Sequence, residues 1–360
     1  MINIIDLVTI LVCIFAWPLT RALENGYRRK VYAAIVWIWQ FFYIVIRDDR
    51  SVIDSWNYVR VFKRVGNVEW MDIYPQLYEQ LEKNYEVGWL YFNKFLYTMI
   101  GDSPRLFLII LSLIVSTAFC AFIISKECVR PWLSAVIFIS LGLFDNMQGV
   151  FRQIISLFII VYAYRFVKEK KLWKYLFCIF IAFIFHKSAV FALPIYFVVK
   201  VRFTKIKTYL ILTLGSAVMI CIRPLAEWLA LYTGYYNYYS SYSRAELSVS
   251  RLIIFLLCTI FILYFMPDSE ENKNFYLAFS IICFLINYLQ LYFNANRVLW
   301  AFEIIYCYSI PMTIKYIRNF TIRKQYIALG ALLFLCYFYI VLQGGAGIEF
   351  AFWRSVHTWQ

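Results

Sequence analysis

Charged residues are scarce in this chain, at 16% of its 360 residues, while 63% of the residues are hydrophobic. A soluble globular domain is about 45–50% apolar, so this composition excludes an ordinary soluble protein. Several uninterrupted apolar stretches approach the roughly 20 residues that cross a bilayer as a helix. The short alternating segments of an outer-membrane barrel are missing. The sequence therefore predicts an all-α, polytopic membrane protein.

Signatures of soluble enzymes and of metal proteins are also missing. The nine cysteines show no CxxC or metal-ligand spacing, which argues against a disulfide framework and against a zinc site. No P-loop, dinucleotide fingerprint, HExxH or GxSxG motif is found. No internal repeat or linker divides the chain, so we expect one integral membrane domain over residues 1–360.

The apolar runs predict about 12 transmembrane helices, within a range of about 10–14. The first is expected to be a retained span, because the N-terminus lacks the basic start of a signal peptide. Two longer segments, 47–105 and 223–250, are expected on the outer face. The predicted spans are 4–20, 31–46, 106–124, 132–148, 150–164, 172–186, 188–199, 208–222, 252–266, 275–293, 298–314 and 326–342.

The chain has 35 Lys and Arg but only 21 Asp and Glu. We attribute this excess of positive charge to the topology of a membrane protein rather than to nucleic-acid binding. Cytoplasmic loops of membrane proteins are rich in Lys and Arg. Both termini are then predicted to face outward. The acidic run PDSEENKN departs from the pattern, because it falls in a connection assigned to the cytoplasm. The connections predicted to be cytoplasmic hold 20 of the 35 basic residues and are 21–30, 125–131, 165–174, 200–207, 267–274 and 315–325.

Six polar sites share the opposite, outer face of this predicted topology. An ionisable group at a helix end often only anchors the helix at the lipid headgroups, so each site also has a structural explanation. A combination of acidic, basic and imidazole groups at one face is more typical of a membrane enzyme than of a scaffold. The sites are Asp54, Glu86, the pair Arg152–Gln153, His186, Arg244 and Arg297.

Arg152 is the strongest candidate for binding an anion. The sequence FRQIIS follows a short turn and begins a helix, whose N-terminus favours anions. A guanidinium adds two hydrogen-bond donors that match a phosphate. Gln153 has the alternative explanation of a helix cap. Arg297 begins a later span, where the alternative is an ion pair with Glu303, about a turn and a half further along.

Proton transfer has three candidates. His186 lies at the predicted tip of a tight hairpin and belongs to a residue type that titrates near neutral pH, although a lone His is more often structural. Asp54 shares a helix face with Tyr58, four residues later. Glu86 opens a predicted interfacial helix in EVGWLYFNK, where a carboxylate also suits the helix dipole. Either carboxylate, or the histidine, is a candidate base toward a sugar hydroxyl.

Tyrosines crowd the second outer segment. The run YNYYSSYSR ends at Arg244, which is a candidate for binding a phosphate or a sugar. Its aromatic rings suit the faces of sugars, and they suit an interfacial belt of aromatic side chains equally well. Tyr238 and Tyr242 are the candidates here for contacts with a glycan.

The order of these elements resembles the EpsG-like family of Wzy-type polysaccharide polymerases. The resemblance implies a fold similar to the C-type glycosyltransferases, with no metal and no other cofactor. It also implies synthesis of an O-antigen, capsule or exopolysaccharide at the outer, periplasmic face of the bacterial cytoplasmic (inner) membrane. The strings that carry it run from about residue 47 to residue 302 and include DSWNYV, EVGWLYFNK, FRQIIS, AFIFHKSAVFALPIY, YNYYSSYSR and NANRVLWAF.

The implied reaction moves a growing glycan from its undecaprenyl diphosphate carrier to the terminal sugar of another lipid-linked repeat unit. The expected partners are the lipid-linked donor and acceptor and membrane lipid, with a polysaccharide chain-length regulator as a further candidate and no nucleic acid. The roles expected on this hypothesis are diphosphate binding by Arg152, Arg244 and Arg297, catalysis by Arg152, His186, Glu86 and Asp54, and glycan contacts by Tyr58, Gln153, Tyr238 and Tyr242.

Two other functions suit the same sequence. A flippase or transporter for a lipid-linked glycan would place charged residues along a path through the bilayer. Here Lys and Arg cluster at the ends of the predicted spans, and Glu303 is the main charge well inside one. A related C-type transferase or ligase would add one sugar, or a whole chain, to a different acceptor. The product distinguishes the three, because only a polymerase makes a ladder on the lipid carrier.

Overall fold

The computed structural model describes residues 4–46, 54–78, 85–222, 225, 228, 248–291 and 296–342. All secondary structure within these residues is helical, as the composition predicts. The described residues also include one π-helical segment, Ile73–Tyr78, and three 3₁₀-helical segments, Trp70–Asp72, Lys187–Ala192 and Tyr288–Leu291. The α-helices are α1 Ile4–Leu19, α2 Asn25–Ile46, α3 Ser55–Gly66, α4 Val87–Ile100, α5 Pro104–Ile123, α6 Pro131–Ser140, α7 Leu143–Gly149, α8 Phe151–Lys168, α9 Leu172–Phe185, α10 Ile195–Val198, α11 Lys205–Cys221, α12 Val249–Phe265, α13 Lys273–Asn287, α14 Asn296–Glu303, α15 Tyr306–Lys315 and α16 Phe320–Leu342.

Three predicted spans are broken into shorter pieces. The span predicted at 132–148 divides into α6 and α7 at Gly142, whose φ of 73° is a left-handed conformation that glycine adopts without strain. The span predicted at 188–199 is a 3₁₀ turn followed by α10, with Pro194 between them. Proline lacks the backbone N–H that a continuous helix needs. The span predicted at 298–314 divides into α14 and α15.

Long apolar side chains cover the outside of the bundle. By length and composition, α5 is the one described helix of at least 18 residues that is apolar enough to cross a membrane, and shorter apolar helices accompany it. An exposed apolar stripe that recurs at helical spacing suits contact with lipid. The number of spans stays a prediction. Helix α9 carries such a stripe at Trp173, Phe177, Phe180 and Phe183, and α11 carries one at Ile206, Leu210, Leu214 and Val218.

Aromatic rings fill the centre of the bundle between α5, α6 and α8. The ring centroids of Phe119 and Phe138 lie 4.6 Å apart, and Phe138 stacks on Phe158 at 6.3 Å. The hydroxyl of the buried Tyr164 donates a hydrogen bond to the carbonyl of Ala301 at 2.5 Å. This bond satisfies the polar end of the tyrosine and fixes α8 against α14.

The predicted hairpin around His186 is present. The hydroxyl of Tyr175 donates to the carbonyl oxygen of Ala192 at 2.5 Å, and the rings of Tyr175 and Tyr196 lie 5.7 Å apart. The segments before and after His186 therefore run side by side in opposite directions. His186 lies in the turn between them.

Hydrogen bonds join several connections that the charge pattern predicts to be cytoplasmic. Arg29 donates to the carbonyl oxygen of Ser125 at 2.8 Å, which links the first connection to the second. Lys168, in the third, pairs with Glu127 at 2.6 Å. The hydroxyl of Tyr276 reaches the same carboxylate at 3.4 Å. These connections consequently lie at one end of the bundle.

The acidic connection after α12 belongs to the same end. Lys273 donates to Asp268 at 2.6 Å, and this bond and charge, with a contribution from Arg202, lower the pKa of the carboxyl. The hydroxyl of Tyr316 donates to Glu270. The acidic residues therefore offset the positive charge of the neighbouring basic connections. This explains why this connection is acidic although the others at this end are basic. The side of a membrane that this end faces stays a prediction.

Candidate active site

Four helices begin close together at the end of the bundle where α8 starts. Asp54 precedes α3, Glu86 precedes α4, Arg152 is the second residue of α8 and Arg297 is the second residue of α14. The turn that carries His186 lies beside them. A helix N-terminus presents backbone N–H groups and the positive end of the helix dipole. The arrangement therefore favours an anion.

Glu86 joins three of these elements. Its Oε2 accepts a hydrogen bond from Arg152 Nη1 at 2.5 Å, and its Oε1 accepts one from the backbone N–H of Lys187 at 3.1 Å. The side chains of Arg152 and Glu86 are 14% and 12% exposed, so the ion pair is shielded and still open to solvent. The carboxylate thus does more than complement the dipole of α4, because it connects α8 with the His186 turn.

A glycine brings α4 close enough to α9 for this connection. A Cβ atom at Gly88 would lie 2.7 Å from the carbonyl oxygen of Ile184 and 2.9 Å from its Cγ1. Carbon and oxygen atoms that are not bonded do not approach so closely, so only glycine fits without a shift of α9. Glu86 stands two residues before this glycine and reaches Lys187, three residues after Ile184.

Aromatic rings surround the guanidinium of Arg152. Its Cζ lies 4.5 Å from the ring centroid of Tyr85 and 6.0 Å from that of Tyr58, within the range of cation–π attraction. Tyr58 is only 1% exposed and packs against Trp89 at 5.2 Å and Phe151 at 5.7 Å. The buried Tyr58 ring therefore supports Arg152, and this placement favours a positioning role for it over stacking on a sugar.

His186 is buried and held in one orientation. Its Nδ1 accepts a hydrogen bond from the backbone N–H of Ser188 at 3.3 Å and lies 2.7 Å from the hydroxyl of that serine. Burial, followed by the charges of Arg152 and Arg297, holds the pKa of His186 well below its usual 6.5. A neutral imidazole whose Nδ1 accepts carries its proton on Nε2. The residue is therefore a neutral hydrogen-bond donor at pH 7.

Arg297 is fixed through its backbone rather than its side chain. Gln153 Nε2 donates to the carbonyl oxygen of Arg297 at 2.7 Å, so Gln153 does not serve as the helix cap that its position allows. Within the part of the chain that the structure describes, the guanidinium of Arg297 makes no hydrogen bond or ion pair. The alternative pairing with Glu303 is wrong, because neither oxygen of that buried carboxyl has a partner there.

A residue that the sequence reasoning missed is Arg251, which is buried at the start of α12. Its Nε donates to the hydroxyl of Tyr337 and its Nη1 donates to Asn296 Oδ1. Gln290 Nε2 donates to the same oxygen at 2.7 Å. Asn296 directly precedes Arg297, so this cluster fixes the start of α14 from a second side. An Arg before an apolar run was the only sequence signal, and ordinary interfacial anchors share it.

Asp54 stands at the edge of the site. Its backbone is left-handed, with φ at 68°, and its carbonyl accepts from the backbone N–H of Tyr58 at 3.0 Å. Asn57 Nδ2 is 3.5 Å from its Oδ1. Within the described ranges no group of three or more His, Cys, Asp or Glu side chains is arranged to hold a metal. The other predicted site residues lie outside the described ranges and are Arg244, Tyr238 and Tyr242.

Comparison with known proteins identifies one family. The family model described as the EpsG family matches residues 30–350 of the chain. The match covers most of the sequence and includes every residue of the site described above. The resemblance indicated by the sequence motifs is therefore confirmed. No curated protein and no solved structure matches the chain.

Proposed function

Because this chain belongs to the EpsG family, we propose that it polymerises lipid-linked oligosaccharide repeat units into a surface polysaccharide. The growing glycan leaves its undecaprenyl diphosphate carrier and joins the terminal sugar of the next lipid-linked unit. The product is an O-antigen, a capsule or another exopolysaccharide. The reaction takes place at the outer face of the bacterial cytoplasmic membrane, and it uses no metal or other cofactor.

The observation that carries this proposal is the grouping of two arginines, a carboxylate and a neutral histidine where four helices begin. Arg152 and Arg297 both act electrostatically on His186, and Glu86 bonds to Arg152 and to the His186 turn. Stabilisation of developing negative charge is usually the largest catalytic contribution. A leaving diphosphate develops such charge, so the two arginines suit a glycosyl transfer from a lipid diphosphate.

The arginines differ in what they offer to the diphosphate. The side chain of Arg297 makes no hydrogen bond or ion pair to the described residues, so it is ready to bind an anion. The Arg152 guanidinium is shielded and oriented by Tyr85, which prepares it for a bidentate contact with phosphate. Arg244 is proposed as a third ligand from the tyrosine-rich outer segment.

His186 and the carboxylates act on the acceptor sugar. A neutral His186 with its proton on Nε2 donates a hydrogen bond to a sugar oxygen and so orients the attacking hydroxyl. A carboxylate, Glu86 or Asp54, takes the proton of that hydroxyl. Gln153 Oε1 is buried without a hydrogen-bond partner in the described residues, which leaves an acceptor for a glycan hydroxyl. Tyr238 and Tyr242 are proposed to line the path of the glycan.

Reconstitution tests this function directly. The purified protein in lipid nanodiscs would receive a lipid-linked repeat unit, and the products would be separated by size. We expect a ladder of glycans on the carrier lipid, together with released undecaprenyl diphosphate. Arg297→Ala should abolish the ladder, and Arg64→Ala, which removes an exposed arginine of α3, should preserve it.

The same experiment separates the alternatives. A single added sugar, or transfer of a whole chain to another acceptor, would identify a transferase or ligase instead. Movement of the lipid-linked unit across liposome membranes without a ladder would identify a flippase. An Arg297→Ala protein as active as the wild type would remove the proposed role of this site.

A further inference from the structure

The two side chains that the proposed reaction needs most form an ion pair with each other. Arg152 is proposed to bind the diphosphate and Glu86 is a candidate base, yet Arg152 Nη1 donates to Glu86 Oε2 at 2.5 Å. Both carboxylate oxygens of Glu86 already accept a hydrogen bond, Oε2 from Arg152 and Oε1 from the backbone N–H of Lys187, so neither is fully open to an acceptor hydroxyl. An arginine that is held by a carboxylate is likewise less available to a phosphate. The resting site therefore holds both groups inactive.

We propose that a phosphate of the lipid-linked donor displaces Glu86 from Arg152, and that the released Glu86 carboxylate is the base that deprotonates the acceptor hydroxyl. This inference rests on the polymerase function proposed above. Donor binding and base activation become one event, so the base is exposed only when a leaving group is in place. Water is then not deprotonated in an empty site.

The contacts make this exchange feasible. A phosphate offers the guanidinium the same kind of charge-assisted, frequently bidentate hydrogen bonds as a carboxylate does. Arg297, which makes no hydrogen bond or ion pair to the described residues, adds a second cation for the anion and none for Glu86. Glu86 keeps its bond to the backbone N–H of Lys187 at 3.1 Å, which holds the released carboxylate beside the site.

Glu86 suits the role of base better than the other candidates. Asp54 lies at the edge of the site, where its side chain approaches Asn57 at 3.5 Å. His186 uses Nδ1 to accept from Ser188, so its imidazole offers a proton rather than a free lone pair. Of the three candidates, Glu86 is the one that bonds, within the described ranges, both to the arginine that would hold the donor phosphate and to the turn that carries the histidine.

The proposed step balances in atoms and electrons. The acceptor hydroxyl oxygen forms a bond to the anomeric carbon of the donor and gives its proton to Glu86. The bond between that carbon and the diphosphate oxygen breaks, and its electron pair stays on the oxygen. The diphosphate leaves bound to Arg152 and Arg297. When the product departs, Glu86 loses the proton to water and pairs again with Arg152.

Binding of inorganic pyrophosphate to the full-length protein in nanodiscs tests the exchange. Glu86→Gln removes the competing carboxylate with little change in shape, so we expect pyrophosphate to bind about tenfold more tightly than to the wild type. The gain requires Arg152. In an Arg152→Ala background, adding Glu86→Gln should change the affinity by less than about twofold, which makes the two substitutions non-additive.

Controls distinguish competition from general charge repulsion. Glu69→Gln removes an exposed carboxylate of the same outer segment and should leave pyrophosphate affinity unchanged. An equal gain from Glu86→Gln with and without Arg152 would show that Glu86 acts only through its long-range field, and it would overturn the exchange. No gain in either background would overturn it as well.

The glycan ladder tests separately whether Glu86 is the base. Glu86→Gln should bind pyrophosphate more tightly and yet make no glycan ladder, whereas a ladder of normal length would exclude Glu86 as the base. Glu86→Asp keeps a carboxylate and should retain part of the ladder. If neither the wild type nor any variant bound pyrophosphate, the diphosphate site and the exchange would both fail. If pyrophosphate bound as expected to Arg152 and Arg297 while Glu86→Gln gave no gain, only the exchange would fail.

Discussion

The side-chain amide of Gln153 donates a hydrogen bond to the backbone carbonyl of Arg297 at 2.7 Å, across 144 residues of chain. Gln153 directly follows Arg152, so this bond ties the two proposed diphosphate-binding arginines to each other through their backbones. The distance between the two guanidinium groups therefore depends on how firmly α8 and α14 are joined.

Gln153→Met should impair polymerisation without touching a charged group. The substitution preserves side-chain length and removes the donor, which leaves the Arg297 carbonyl without this bond at a cost of about 1–3 kcal/mol. We expect a shorter glycan ladder in cells and a lower unfolding temperature for the purified protein. Gln325→Met, at an exposed position of α16, should change neither. A Gln153→Met ladder of wild-type length would show that this bond does not position Arg297.

Arg251→Met should disturb the same arginine from the opposite side. It removes the hydrogen bonds to Asn296 and Tyr337, and each bond to a charged group contributes about 1.5–3 kcal/mol. We expect lower stability and a shortened ladder. Tyr337→Phe removes one of these bonds and leaves Asn296 held, so it should destabilise the protein and preserve polymer length. Glycan ladders of equal length from the two variants would contradict the separate role assigned to the bond between Arg251 and Asn296.

Gly88→Ala should separate α4 from α9. The added Cβ would stand 2.7 Å from the Ile184 carbonyl oxygen, and a shift of the helices that relieves it costs about 1–3 kcal/mol. Glu86 then loses its bond to Lys187, and polymer yield should fall. Gly26→Ala is the matched control, because a Cβ there meets nothing within 4 Å. Thermal unfolding and ladder length of the two variants would be compared, and equal behaviour would rule out the close approach.

His186 should make stability depend on pH in a defined direction. Its pKa in the folded protein lies well below 6.5, so in the window beneath 6.5 the unfolded chain binds a proton that the folded protein does not. The free energy of unfolding should therefore keep its highest value above pH 6.5. As the pH is lowered below 6.5, it should decrease by up to about 1.4 kcal/mol per pH unit. Thermal unfolding at several pH values measures this slope.

His186→Asn provides the comparison for that slope. An asparagine keeps an oxygen that accepts from the Ser188 N–H and cannot titrate, so the variant should lose less stability on acidification than the wild type. The glycan ladder should be reduced because the Nε2–H donor is gone. Parallel pH profiles for the two proteins would mean that another group accounts for the acid sensitivity.

The grouping of the site residues was accessible from the sequence because it follows from charge. Placing the basic connections at one end leaves Glu86, Arg152, His186 and Arg297 at the other, and the structure brings these residues together. The residue types also fix a helix N-terminus at Arg152. The individual contacts between these residues could not be predicted from the sequence, because the Glu86–Arg152 bond joins residues that are 66 positions apart.

Other features depend on packing and escaped the sequence pattern. The breaks at Gly142 and Pro194 lie in runs whose apolar character predicts continuous helices, because hydropathy does not register a left-handed residue or a missing donor. Arg251 resembles an ordinary interfacial anchor until Tyr337 and Asn296, which are far along the chain, close around it. The same limit explains why the sequence left open an ion pair between Arg297 and Glu303, which the described residues do not form.

Deletion of the gene with complementation, read as surface glycan separated by size, tests whether this protein is a polymerase in the cell. We expect the deletion strain to show a single repeat unit and no ladder, the wild-type gene to restore the ladder, and Arg152→Ala to fail to restore it. Loss of even the single unit would contradict a polymerase and point to export or an earlier step. A ladder that survives the deletion, or that Arg152→Ala restores in full, would contradict both the polymerase function and the role of Arg152.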